Sequence, residues 1–153
     1  MKDKLKLQFK FMNENNLNFT FTRYVAFKSK GLKKIISPPQ KIIYEDFVNN
    51  TSIATSSMMI KKKFIRNIKL SHSPNFEDYF LKCQILKKIK YAHCLQQNLV
   101  AYRIRERSLS RNKLRNVYWI WKINRKFNKL SFVKSLISVV LISINSLRKY
   151  GFK

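Results

Sequence analysis

The side chains best suited to chemistry in this sequence are a row of cations in its last third. After Glu106 the chain has no acidic residue, yet it carries twelve lysines or arginines. At about 100° per residue, five of these cations share a helical arc of about 60°, namely Arg111, Arg115, Lys122, Lys126 and Lys129. The opposite arc is apolar and predicts a stripe facing the core, formed by Leu114, Val117, Ile120, Trp121, Ile123, Phe127 and Leu130.

This cation stripe has the pattern of a phosphate-binding surface. Cations placed along a nucleic-acid backbone release condensed counterions, which gives an affinity that depends on salt and hardly on base sequence. Tyr118 and Trp119 flank the stripe, where their rings could stack on unpaired bases. The alternative is a solvated helix face, although such faces normally mix charges of both signs.

Residues that could support catalysis or bind a metal are few. Glu45-Asp46 and Glu77-Asp78 are adjacent carboxylates that point in different directions, and the second pair suits a helix N-terminus. The histidines and cysteines lack zinc-ligand spacing, at positions His72, Cys83, His93 and Cys94. With two glycines in the chain, a glycine-rich phosphate loop is excluded. We therefore expect no catalytic residue, no metal ligand and no cofactor, and we expect that the protein is not an enzyme.

Composition and charge favour a polyanionic partner. Against 33 lysines and arginines stand 7 acids, a formal charge of +26 that opposes compaction unless a polyanion neutralises it. The chain nevertheless has 45% hydrophobic residues and should fold. Its longest uncharged apolar stretch, residues 135–147, is too short for a membrane span. Two cysteines favour a reducing compartment, and the excess of residues with A/T-rich codons favours an organelle genome.

The N-terminal half predicts little regular structure beyond one hairpin. Leu5, Leu7, Phe9 and Phe11 alternate with polar residues, as in a half-buried strand, and a second alternation begins at Leu17. Together they predict a β-hairpin over residues 4–22, with a tail that orders only on RNA as the alternative. Residues 31–60 are interpreted as a linker, so that residues 1–72 form a basic N-terminal extension.

The C-terminal half predicts helices. Ser73 as N-cap, Pro74 and the acids Glu77-Asp78 form a helix start. Neither glycine nor proline follows between residues 75 and 150. The expected fold class is therefore mainly α, with a small helical domain over residues 73–153 that breaks near residues 107–110, 128–131 and 143–145. On the apolar side of the wheel, Asn124 should be hydrogen-bonded to a backbone group, with direct RNA contact as the alternative.

Several blocks of the last third carry a family resemblance. The segment Tyr118-Trp119-Ile120-Trp121-Lys122-Ile123-Asn124 resembles a Leu-Trp-Ile-x-Arg-Ile-Asn block of the bacterial-type large-subunit ribosomal protein twenty family. Residues 101–107, 130–137 and 142–145 resemble further blocks of that family in the same order. The resemblance covers about half of the chain. It implies a helical domain docked on large-subunit ribosomal RNA, beside neighbouring ribosomal proteins and with no small-molecule substrate.

The leading hypothesis is thus a structural, RNA-binding constituent of a mitochondrial ribosome that aids assembly of the large subunit and is encoded in the organelle. A basic accessory subunit of an organellar membrane complex is the alternative, and an RNA-processing enzyme is disfavoured by the lack of paired acids. The residues expected to bind ribosomal RNA are Arg103, Arg105, Arg107, Arg111, Lys113, Arg115, Tyr118, Trp119, Lys122, Lys126 and Lys129.

Overall fold

The computed structural model of the protein describes residues 3–28, 33–66, 68, 76–104 and 112–151. In chain order, the described elements are helix α1 (Lys4–Glu14), strand β1 (Phe19–Phe27), strand β2 (Lys33–Ile36), strand β3 (Lys41–Ile42), helix α2 (Tyr44–Asn50), strand β4 (Met59–Ile60), helix α3 (Glu77–Lys88), strand β5 (Ala92–Arg103), helix α4 (Lys113–Lys122), a π-helical segment (Ile123–Phe127) and helix α5 (Phe132–Tyr150). Short 3-10 turns at Thr55–Ser57 and Lys62–Phe64 flank β4.

A mixed sheet of five strands forms the centre of the fold. Its order is β2-β1-β5-β3, and β4 also pairs with β1. Strands β1 and β5 are parallel, whereas the other pairings are antiparallel. The start of β1 is buried on both faces, since Phe19, Thr20, Phe21 and Thr22 have no exposed surface, as expected for a central strand covered on both sides. The expectation of a mainly α fold is therefore wrong, because the architecture is α/β.

The predicted hairpin over residues 4–22 is wrong in its first half. Lys4–Glu14 forms helix α1, whose buried residues, Gln8 and Met12, are four positions apart. Leu5 and Phe9, which the alternation placed in the core, are exposed. The second alternation does become a strand, but β1 pairs with β5 and not with the N-terminal segment.

The long breaker-free stretch also contains a strand where a helix was expected. Ala92–Arg103 forms β5, and its register against β1 shifts on both sides of Arg23, where Arg23 donates to the Gln96 side chain. The predicted helix start at Ser73-Pro74 lies outside the described residues, and α3 begins at Glu77. The predicted break near 128–131 is confirmed, because α5 begins after Ser131, whose side chain accepts from the Lys134 amide. The break near 143–145 is wrong, since α5 continues to Tyr150.

Two buried clusters stabilise this arrangement. The larger joins the start of β1 to α2, α3, the π-helical segment and α5, with Phe19, Phe21, Phe47 and Ile123 almost fully buried. The smaller joins Tyr24, Ala26, Ile36 and Val100 beside the C-terminal end of β1. Strands from both sides of the predicted boundary at residues 72 and 73 share one sheet, and the division into two domains stays a prediction.

Candidate active site

The described part of the chain encloses a cavity of about 580 Å³ beside the ends of β1 and β5. Its walls come from the loop after α2, the first turn of α3, α4 and the inner face of α5. Most of the lining side chains are apolar or aromatic, and a smaller number of polar side chains lies among them. Such a combination is typical of small-molecule sites. The lining residues include Tyr24, Thr55, Phe76, Asp78, Lys82, Tyr102, Arg103, Lys149 and Tyr150.

Asp78 is the one acidic residue among those that line this cavity. It lies in the first turn of α3, where a carboxylate is stabilised by the helix dipole. Its Oδ2 atom accepts hydrogen bonds from Thr55 Oγ1 at 2.8 Å and from Lys82 Nζ at 2.9 Å. Lys82 Nζ also donates to Thr55 Oγ1 at 2.8 Å, so the three groups form a closed triangle. The carboxylate is therefore fixed by Lys82 of its own helix and by Thr55 of the 3-10 turn, which is distant in sequence.

The charge state of Asp78 follows from these partners. Burial raises the pKa of Asp78, but the Lys82 ammonium and the hydrogen bonds to the carboxylate outweigh it, so the pKa lies below its ordinary value of 3.8. Asp78 keeps half of its side chain exposed, whereas that of Lys82 is only 5% exposed. The carboxylate is thus ionised at neutral pH and accessible, and the buried ammonium serves as its support.

The backbone before Asp78 is strained. Phe76 is the N-cap of α3 and lies in the left-handed region, with φ at 62°. A bulky residue adopts this conformation only when its surroundings enforce it, and such residues concentrate at functional sites. The strained turn places both the Phe76 ring and the Asp78 carboxylate at the cavity.

Three tyrosines form the aromatic wall of the cavity. Tyr24 comes from β1, Tyr102 from β5 and Tyr150 from the end of α5. The Tyr102 ring lies 5.9 Å from that of Tyr24 and 6.3 Å from that of Tyr150, and the Tyr24 and Tyr150 hydroxyls are 2.8 Å apart. Burial raises the pKa of Tyr24 and of Tyr150, so both stay neutral at physiological pH. Tyr102 is 39% exposed and lines the cavity.

A cationic rim completes the site. Burial lowers the pKa of Lys149 to about 8, and its Nζ donates to the Asn50 carbonyl at 2.7 Å. Arg103, at the end of β5, lies over the Phe27 ring at 5.9 Å. Arg103 is one of the residues expected to bind RNA, and the structure places it at this cavity.

The predicted cation stripe does not lie on one continuous α-helix. Arg105, Arg107 and Arg111 lie outside the described residues, and so does the side chain of Lys113. Helix α4 ends at Lys122, the next five residues are π-helical, and Lys129 follows in the left-handed region, with φ at 56°. Because the number of residues per turn changes after Lys122, Lys126 and Lys129 do not follow the 100° spacing that placed them on the same helical face as Arg115 and Lys122. The RNA-binding role of these residues stays a prediction that the structure does not test.

The aromatic residues of α4 divide as the helical phase predicts. Lys122 Nζ lies 4.7 Å from the Trp119 ring centre and 5.6 Å from that of Tyr118. Trp121 packs against the larger core cluster, with its ring 5.1 Å from that of Phe132. Leu114, predicted to face the core, is 83% exposed.

A buried hydrogen-bond network surrounds Asn124. The side chain of Asn124 has no exposed surface, and its Oδ1 accepts from Tyr79 Oη at 2.8 Å and from Asn128 Nδ2 at 3.0 Å. Its Nδ2 donates to Ser138 Oγ at 2.8 Å, and Ser138 in turn donates to the Val48 carbonyl in α2. The predicted hydrogen bonding is present, but the partners are side chains and not a backbone group.

Other chemistry is not supported by the described residues. Burial raises the pKa of Cys83 to about 12 and that of Cys94 to about 11, so both are protonated, weakly nucleophilic thiols. Among residues that the structure describes, no three histidines, cysteines or acids are grouped to hold a metal ion. Within the same ranges, no helix is both long enough and apolar enough to cross a bilayer.

Of the residues that line this cavity, Arg103 alone is among those that the sequence pattern assigns to binding. Asp78 was interpreted only as a helix-terminal acid, although an adjacent acid pair in a chain with so few acids is a local signal. Tyr24, Tyr102 and Tyr150 come from three distant segments, and nothing in their local sequence indicates that they meet.

The comparisons with known proteins give one consistent result. The chain is 30% identical over 150 residues to a protein of Bacillus subtilis (strain 168) named putative teichuronic acid biosynthesis glycosyltransferase TuaG. It is 31% identical over 155 residues to an uncharacterized glycosyltransferase of Haemophilus influenzae. Each match covers 97% of this chain and 60% of the relative, so the chain spans about 60% of the length of the curated relatives it matches. No family model and no solved structure matches.

These relatives overturn the ribosomal interpretation. The resemblance to the ribosomal family rested on short blocks in half of the chain, whereas the matches to enzymes extend over nearly all of it. A structural role in the ribosome, an organellar accessory subunit, ribosomal RNA and ribosomal proteins as partners, and the absence of a small-molecule substrate and of enzymatic activity are therefore corrected. Bacterial relatives also argue against a mitochondrial ribosome as the location. Both of these relatives carry the name glycosyltransferase.

Proposed function

We propose that the protein takes part in glycosyl transfer, and that the cavity beside Asp78 binds the acceptor sugar. The observation that carries this proposal is the position of Asp78. In a chain similar over 97% of its length to named glycosyltransferases, Asp78 is the acid that lines the cavity. Its carboxylate is ionised, accessible and fixed by two side chains.

Asp78 supplies the base that this reaction requires. When a sugar is transferred from an activated donor such as a nucleotide sugar, the acceptor hydroxyl oxygen forms a bond to the anomeric carbon. The bond from that carbon to the leaving group breaks, and the hydroxyl proton must be taken up. A positioned carboxylate that accepts this proton contributes about 10²- to 10⁴-fold to the rate. Asp78 becomes protonated in this step, while Lys82 and Thr55 hold it in place.

The aromatic wall suits the other part of the acceptor. A sugar ring has apolar C–H faces that pack on aromatic rings and hydroxyls that need polar partners. Tyr102 presents a partly exposed ring to the cavity. Arg103 and Lys149 add positive charge at the same opening, which favours acceptors that carry a carboxylate or a phosphate.

This proposal is tested by a transfer assay in which mass spectrometry detects the glycosylated acceptor. The full chain is incubated with nucleotide sugars and with neutral and anionic saccharide acceptors. Tyr102→Ala should raise the KM for the acceptor by about tenfold, because the ring that packs on the sugar is lost. Tyr118→Ala is the matched control, since Tyr118 is also exposed but does not line the cavity. Equal effects of the two substitutions would contradict the placement of the acceptor.

A further inference from the structure

Helix α5 turns a wide apolar face to the outside of the molecule. Seven of its large apolar side chains are between 37% and 63% exposed, namely Phe132, Val133, Leu136, Ile137, Val140, Leu141 and Ile144. At about 100° per residue they span half of the helix circumference. These seven residues are called the α5 outer face below.

The side of α5 that packs on the molecule is more polar than its outer face. Ser135 and Ser138 are fully buried there, next to Val139 and Ile142. Asn145 Nδ2 donates to the Asn49 carbonyl at 3.2 Å, which ties the helix to α2. Surface helices normally face the core with their apolar stripe and the solvent with their polar residues. The reversed pattern in α5 indicates that its outer face is covered by something other than water.

The charges around the outer face identify what covers it. Lys134 and Arg148 are exposed at its border, and α5 contains no acidic residue. The whole chain carries a formal charge of +26. An apolar helix face bordered by cations fits the boundary between anionic headgroups and acyl chains of a lipid bilayer.

We propose that the α5 outer face docks on the surface of an anionic lipid bilayer, with the helix axis in the membrane plane. Nineteen residues give a helix about 28 Å long, and interfacial helices of this type bury their apolar side by about 5 to 10 Å. A second copy of the chain fits the face less well. Pairing two such faces would bring Lys134 and Arg148 of both copies together without an acid on either helix to compensate them.

The α5 outer face does not include the residues proposed for glycosyl transfer. The same helix lines the cavity through Val139, Ile142 and Ser146, which lie off the outer face. If substitutions of Asp78 or Tyr102 do not affect glycosyl transfer, the proposed lipid contact is unaffected. If the protein does not bind lipid, the proposed roles of Asp78 and Tyr102 are unaffected.

Flotation with lipid vesicles tests this proposal. The full chain is mixed with vesicles of phosphatidylcholine alone or of phosphatidylcholine with phosphatidylglycerol, and the bound fraction is measured. The triple variant Leu136→Gln, Val140→Gln, Ile144→Gln should lower binding to the anionic vesicles by about tenfold or more, because three apolar side chains no longer enter the acyl region. The double variant Leu5→Gln, Phe9→Gln is the control, since it replaces apolar residues on α1 that are even more exposed. Circular dichroism establishes that all variants keep their helix content.

The border cations give a second measurement. Lys134→Gln with Arg148→Gln should weaken binding to the anionic vesicles and leave binding to phosphatidylcholine alone unchanged. The proposal is overturned if the triple variant binds anionic vesicles like the wild type, since net charge alone would then explain the attraction. It is also overturned if the triple substitution abolishes a dimer seen by analytical ultracentrifugation without affecting vesicle binding, because the face would then join two copies.

Discussion

Asn124 illustrates how one buried polar residue can organise several elements. It lies in the π-helical segment and hydrogen-bonds with Tyr79 of α3 and Ser138 of α5, which continues the network to α2. The sequence pattern predicts a bonded amide here, because an unsatisfied buried amide is costly. The pattern cannot name the partners, because they lie 45 residues upstream and 14 residues downstream.

Replacing Asn124 by leucine should therefore lower the free energy of unfolding by about 3 kcal/mol or more, since several buried groups lose their partner at about 1 to 3 kcal/mol each. Urea denaturation followed by circular dichroism measures the change. Asn15→Leu is the control, because the Asn15 side chain donates to the Phe11 carbonyl in an exposed place and its replacement should change the stability by no more than about 0.5 kcal/mol. Equal effects at the two positions would show that the network is not structural.

Lys149 should make the stability depend on alkaline pH. Burial lowers its pKa from the ordinary 10.5 to about 8 in the folded protein. Between about pH 8 and 10 the unfolded chain keeps this proton longer than the folded one, so the Lys149 contribution to the free energy of unfolding rises with pH. Cys83 and Cys94 act in the opposite direction in the upper part of this range, because burial raises their pKa values and the unfolded chain loses these protons first. Tyr24 and Tyr79 add to this opposing effect above about pH 10, because burial raises their pKa values as well.

Urea denaturation at intervals from pH 7 to 11 measures this profile. Lys149→Met should make the slope of the free energy of unfolding against pH more negative between pH 8 and 10 than in the wild type, whereas Lys134→Met, at an exposed lysine of the same helix, should leave the slope unchanged. A Lys149→Met profile parallel to that of the wild type would assign the pH dependence to other groups.

At the level of helices and strands, tertiary contacts determine the structure of α1, for which the local sequence pattern permits both a strand and a helix. The residues of α1 satisfy a period of two in Leu5, Leu7 and Phe9, but they also place Gln8 and Met12 on one helical face. The helix is favoured because Gln8 Nε2 reaches Thr20 Oγ1 at 3.2 Å and the Ser57 carbonyl at 3.0 Å. These partners are 12 and 49 residues away and are invisible to a periodicity argument.

Strand β5 is the opposite case, since a segment that was expected to be helical forms a strand. The absence of glycine and proline around Ala92–Arg103 permits a helix but does not require one. Its pairing with β1 along eight residue positions supplies the hydrogen bonds that make it a strand. The start of α5 could be predicted because the capping of its first turn by Ser131 is a local signal.

Alanine substitutions in α1 distinguish the helix from the strand of the hairpin prediction. Met12→Ala should cost about 2 kcal/mol or more, because Met12 is 3% exposed. Phe9→Ala should cost no more than about 0.5 kcal/mol, because the ring is 59% exposed. Thermal and urea denaturation measure both. A large loss for Phe9→Ala and a small one for Met12→Ala would restore the hairpin.

At the scale of the whole molecule, net charge was a poor guide to function. The +26 charge predicts attraction to polyanions, but nucleic acids, anionic lipids and anionic saccharides all satisfy it. What separates them is the placement of apolar surface and of the few acids, and the sequence alone does not give this placement. The Asp78 cavity is formed by segments that are distant in sequence, and the exposure of the α5 outer face depends on which side of α5 packs on the rest of the molecule.

We propose that Asp78 accepts the proton of the acceptor hydroxyl, and two further substitutions separate this role from other effects. Glu77→Gln is the matched control, because Glu77 is the adjacent acid in the same helical turn and does not line the cavity. The double variant Asp78→Asn, Lys82→Met excludes an effect of unfolding, since it does not leave the buried ammonium unpaired.

The decisive measurement is the initial rate of glycosyl transfer by these variants, each shown by circular dichroism to be folded. Asp78→Asn and the double variant should lose about 10²- to 10⁴-fold in kcat, whereas Glu77→Gln should stay within about twofold of the wild type. Folded Asp78→Asn protein that transfers sugar at the wild-type rate would contradict this role of Asp78.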